Sequence, residues 1–106
     1  MVEKEVEQVA KGISEIDPCK TVGNRLENRA EFAAARIYLF MAKLFVNDLK
    51  AKGKIPEKDT GPILSLIENV RDGITSRNPD SRVKTLECGK ELSSAILCVA
   101  RRAEKR

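Results

Sequence analysis

The apolar positions along the chain recur at helical spacing almost from end to end. Val2, Val6, Val9, Ile13 and Ile16 are separated by steps of four and three, which places them on one stripe of a helix over about 2–16. Glu3, Glu5 and Glu7 near its start suit the positive end of a helix dipole. Asp17-Pro18 interrupts the pattern, because a residue before proline is pushed out of the α region.

A second, longer pattern predicts a helix over about 20–51. It carries two apolar faces rather than one. Val22, Leu26, Ala30, Ala33, Ile37, Phe40 or Met41, and Leu44 form the first. Phe32, Ala35, Leu39, Ala42, Val46 and Leu49 form the second. A helix apolar over most of its circumference needs partners on most sides, and its alanines permit close approach by neighbours. Lys-Ala-Lys-Gly-Lys-Ile-Pro, 50–56, supplies basic residues and a glycine, as helix C-termini do.

After a connection at 55–61, Thr60 or Gly61 is expected to cap a third helix over about 62–74, with Pro62 in its first turn and Ile63, Leu66, Ile67, Val70 and Ile74 inward. Asn78-Pro79 opens a fourth over about 79–103. Val83, Leu86, Gly89 or Lys90, Leu92, Ser93, Ile96, Leu97, Val99 and Ala100 are expected on its inner face. Gly89 and Ser93, four residues apart, make a small-residue notch suited to a tight helix crossing. With no strand-like alternation of useful length, the pattern predicts a single all-α domain, a small four-helix bundle around a long central helix. The three other helices offer one apolar stripe each, so they could enclose the central helix alone or together with a second subunit.

Composition agrees with a folded domain: 106 residues, 42% hydrophobic and 34% charged. Histidine is absent, which removes the commonest general base near neutral pH and the commonest zinc ligand. Cys19, Cys88 and Cys98 include no CxxC, and Cys88 and Cys98 are nearly three helical turns apart. The chain is therefore expected to lack catalytic and metal-binding residues and to need no cofactor. The odd cysteine count, the lack of a charged-then-apolar leader and the lack of a long apolar run make a cytoplasmic protein, outside the membrane, the expectation.

Charge supplies the candidate contact residues. Residues 1–75 carry 12 basic and 12 acidic side chains, whereas 76–106 carry 8 and 4, so the net +4 resides in the last segment. On the second helix Arg29, Arg36, Lys43 and Lys50 recur every seven residues, extended by Arg25 and Lys54. A heptad step drifts only about 20° around a helix, so these cations line one edge. Such an edge keeps a bundle helix solvated, or tracks a phosphate backbone. Arg77, Arg82, Lys84, Lys90, Arg101 and Arg102 form a second basic group. All four aromatics, Phe32, Tyr38, Phe40 and Phe45, are expected in the core, leaving no stacking groups for base recognition. Two functions follow as expectations: a non-enzymatic interaction or scaffold subunit that binds a protein partner or itself, and, alternatively, a nucleic-acid-associated protein that contacts backbone with little base specificity.

Overall fold

A computed structural model describes residues 4–16, 29–75 and 81–105, with side chains described from 33 in the second segment and from 83 in the third. The described residues form four helices, with no strand among them: α1 (Lys4–Ser14), α2 (Arg29–Ala51), α3 (Glu57–Thr75) and α4 (Ser81–Glu104). The expected helical start at 20 lies outside the described residues, as do Val2, Val22, Leu26 and the two X-Pro breaks at 17–18 and 78–79.

The helices stand in cyclic order, each packed against its chain neighbours and α1 closing the ring against α4. Their directions alternate. Lys50, near the end of α2, pairs with Glu57 at the start of α3, and Asp59 at the start of α3 pairs with Arg102 at the end of α4. Val6 of α1 shares a groove with Phe45 and Leu49 of α2 and with Ala100 and Ala103 of α4. The result is an up-down-up-down bundle with α2 and α4 on one diagonal.

Small side chains set the close crossings. A Cβ at Gly12 would lie 2.6 Å from the Tyr38 ring, so α1 approaches α2 only because that residue is glycine. A Cβ at Gly73 would lie 2.8 Å from both Cβ and Cγ2 of Thr85, between α3 and α4. The notch at Gly89 and Ser93 receives α1. Ser93 Oγ donates to the Ala10 carbonyl at 2.7 Å, and the Gly89 Cβ position lies 3.4 Å from the Ile13 carbonyl oxygen.

The core stripes of α1 and α3 follow the expected pattern, with Val6, Val9, Ile13, Ile63, Ile67, Val70 and Ile74 all buried. Three features differ. α3 starts at Glu57 rather than near Pro62. The Pro56 carbonyl accepts the amides of Asp59 and Thr60 and the Thr60 hydroxyl at 3.0–3.3 Å, while Glu57 and Asp59 suit the dipole of that first turn. Pro62 then falls inside the helix, on its exposed side, where the missing amide leaves one intrahelical bond unmade. On α4, Val83 and Leu86 are exposed and Thr85 is buried, because the Thr85 side chain fills the space left by Gly73. The third difference concerns α2, and it creates the site.

α2 ends as its sequence predicts. Gly53 adopts φ 68°, its amide donates to the Lys50 carbonyl at 3.1 Å, and the Lys54 amide reaches the Leu49 carbonyl at 2.9 Å. This paired arrangement closes the last turn and requires a residue at ease in the left-handed region.

Candidate docking face on α2

The two apolar faces of α2 have opposite fates. Ala35, Leu39, Ala42, Val46 and Leu49 are buried against the other helices. Ile37, Phe40, Met41 and Leu44 remain 57%, 60%, 40% and 53% exposed. The expectation that Phe40 belongs to the core is thus corrected: Tyr38 and Phe45 pack on the core as partly buried residues, but Phe40 faces out. The reason lies in the ring topology. A helix at a corner of a four-helix ring buries only the sector between its two neighbours, and among the described residues nothing covers the opposite sector.

Ile37, Phe40, Met41 and Leu44 follow steps of three, one and three, so they form one contiguous stripe. A groove lies on each side of it. Toward α1, a groove of about 470 Å³ is lined by Tyr38 and Met41 with Glu5, Gln8, Lys11 and Glu15 among its other walls. Toward α3, one of about 270 Å³ is lined by Leu39, Phe40 and Ile67 together with Arg36, Lys43, Arg71 and Glu68. The first rim carries two acidic residues and one basic, the second three basic and one acidic. The outer face of α2 is therefore apolar along its middle, negative on the α1 side and positive on the α3 side.

The heptad-spaced cations are the positive rim. Arg36, Lys43 and Lys50 are exposed, and Lys54 is partly buried beyond the helix end. Lys50 lies 3.6 Å from Glu57. Arg29 is in α2 and Arg82 in α4, although their side chains lie outside the described set, and Arg25 and Arg77 lie outside the described residues altogether. Lys84, Lys90, Arg101 and Arg102 are exposed on α4. Lys84 and Lys90 sit near the start of a helix on the opposite corner from α2, so the bundle separates them from Arg36 and Lys43. The C-terminal ends do converge. Lys52 and Lys54 line a groove with Ala100, Ala103 and Glu104. That end is of mixed sign, since Lys52 pairs with Asp48 at 2.9 Å and Arg102 with Asp59 at 3.7 Å.

Among the described residues, no group of three or more His, Cys, Asp or Glu side chains is arranged to hold a metal ion, and no helix is long and apolar enough to cross a membrane. Cys88 is partly buried and Cys98 exposed, and both are free thiols. The fold is that of an all-α antiparallel four-helix bundle with one corner helix apolar on both sides. No protein-family model matches the chain, and neither a curated protein nor a solved structure is significantly similar to it.

Sequence reasoning located every residue of this face but not its exposure. Arg36 and Lys43 do not separate the two faces, because each stands between a residue of one face and a residue of the other, Ala35 and Ile37 or Ala42 and Leu44. The opposite face carries Ala35 and Ala42, whose small side chains suit close packing.

Proposed function

We propose that this chain is a non-enzymatic interaction or scaffold subunit of a larger intracellular assembly, and that it docks through the outer face of α2. The observation that carries this reading is the exposure of Ile37, Phe40, Met41 and Leu44 in one unbroken stripe. Isolated exposed apolar residues are ordinary on protein surfaces, but a contiguous helical stripe rimmed by charges has the composition of an interface. Burying the exposed half of each of these side chains is worth on the order of 1 kcal/mol, so the stripe offers about 4 kcal/mol per chain. The absence of histidine from the sequence further supports a role without acid–base chemistry.

The test is association measured with and without the face. Leu44→Glu is expected to abolish binding of the chain to protein partners, itself included, while leaving helicity by circular dichroism unchanged. Lys90→Glu, on the opposite corner helix, is expected to leave binding intact. Association that survives Leu44→Glu overturns the reading.

A second reading, contact with a nucleic-acid backbone, draws on the convergence of Lys52 and Lys54 with the end of α4. The carboxylates interleaved there weaken it, because they lower the local positive potential that backbone binding needs.

A further inference from the structure

We propose that the partner covering the outer face of α2 is a second copy of this chain, with the two α2 helices packed in parallel about a two-fold axis running along them. The proposal rests on the reading of that face as a docking surface and identifies its occupant.

The first argument is register. With Ile37 at position a of a heptad, the described side chains at a and d are Ala33, Ile37, Phe40, Leu44, Asn47 and Ala51, and every one of them is exposed. The described side chains at c and f are Ala35, Leu39, Ala42, Val46 and Leu49, and every one is buried in the bundle. α2 thus serves its own core with one side and presents a helix-pairing seam on the other. The heptad-spaced cations Arg36, Lys43 and Lys50 occupy g, the position that flanks such a seam and faces the neighbouring helix.

The second argument is charge, and it selects the direction. An isologous pair meets through the same patch on both copies. A two-fold axis along α2 exchanges left and right, so the positive α3-side rim of one copy meets the negative α1-side rim of the other. Arg36, Lys43 and Arg71 then face the side bearing Glu5 and Glu15. A two-fold axis across α2, which gives antiparallel helices, instead sets positive rim against positive rim. In a parallel pair, a g residue also meets the e residue five positions later on the partner helix. This sets Lys43, which makes no ion pair among the described residues, against Asp48 of the other copy, itself exposed and paired at 2.9 Å with Lys52 of its own chain. Asn47, the polar residue of the seam, meets its own copy on the axis, where two amides can hydrogen-bond. In an antiparallel pair centred on Phe40 it would face Ala33, which has no side-chain partner to offer.

Sedimentation velocity of the full chain across micromolar concentrations is expected to show a concentration-dependent dimer, which Leu44→Glu converts to monomer. Lys43→Glu and Asp48→Lys are each expected to weaken dimerisation about tenfold through two symmetry-related pairs, and the double reversal is expected to restore it. In a background of Cys19→Ser, Cys88→Ala and Cys98→Ser, Ile37→Cys and Leu44→Cys introduced singly should both form disulfide-linked dimers on oxidation, since each residue lies against its own copy. A chain that stays monomeric while Leu44→Glu still abolishes binding to other proteins overturns the second copy and leaves the docking face standing. A dimer indifferent to Leu44→Glu, in a chain whose other protein contacts are equally indifferent, overturns both. A dimer that cross-links through neither or only one of the two cysteines, or in which the double reversal fails to restore affinity, overturns the parallel packing. Should the cysteine background fail to fold, the charge-reversal cycle in the native background decides the direction by itself.

Discussion

Ser93 on α4 donates its hydroxyl proton to the Ala10 carbonyl of α1 at 2.7 Å, in the interior of the bundle. The bond joins two helices far apart in the chain at the point where Gly89 lets them approach. Ser93 is 8% exposed, so its hydroxyl has little access to water if that acceptor is lost. Ser93→Ala removes the donor and leaves the Ala10 carbonyl its helical partner. The expected cost is about 1 kcal/mol in chemical denaturation. Ser93→Leu inserts bulk into the crossing and is expected to cost about 1–3 kcal/mol. A Ser93→Leu variant as stable as the parent would show that the crossing is not close-packed.

Gly73 and Thr85 make the corresponding contact between α3 and α4. Alanine normally favours a helix over glycine by about 1 kcal/mol. Here the added Cβ would lie 2.8 Å from the Thr85 Cβ, and both residues are buried. Gly73→Ala is therefore expected to destabilise by about 1–3 kcal/mol, against its propensity. Thr85→Ala in the same chain should recover part of that loss, giving a coupling energy between the two sites. Additive effects in the double-mutant cycle would argue that the helices separate freely at this point.

Much of this architecture was readable because helical period alone identifies a stripe. The inward residues of α1 and α3, and the end of α2 at Gly53, follow from spacing and from the scarcity of residues that accept a positive φ. Two kinds of information were not local. Which residue of α4 turns inward near its start depended on Gly73, a residue of another helix, and so Thr85 rather than Val83 is buried. Which face of α2 meets the core depended on the cyclic order of the helices. Both faces satisfy the same period and both flank the cations, and only the small Ala35 and Ala42 hint at the side that packs closely. The basic residues were found in the sequence, but their division into a rim beside α2 and a mixed-charge end near Arg102 required the arrangement in space.

Gly53 offers a test of the C-terminal cap. Its φ of 68° is strained for any residue with a Cβ, although open space surrounds the position. Gly53→Ala is expected to cost about 1 kcal/mol, through backbone strain alone. Gly53→Asn, which tolerates the left-handed region better, should cost less. Equal stabilities for all three chains, measured by urea denaturation, would contradict the cap.

The two sides of α2 should respond to truncation in opposite ways. Leu39 is 3% exposed and Leu44 53%, yet they are the same residue type on the same helix, five positions apart. Leu39→Ala opens a cavity in the bundle and is expected to cost about 2–5 kcal/mol of folding stability. Leu44→Ala removes atoms that water already reaches, so at dilutions where the chain is unassociated it should cost no more than about 0.5 kcal/mol beyond helix propensity. Its effect should emerge as concentration rises, because only the associated form buries the residue. Urea denaturation of both variants and the parent at two protein concentrations separates these terms. The Leu39→Ala deficit should be present at both concentrations, and the Leu44→Ala deficit should grow with the higher one. A large, concentration-independent loss for Leu44→Ala would place that residue in the core of the isolated chain and remove the outer face as a docking surface.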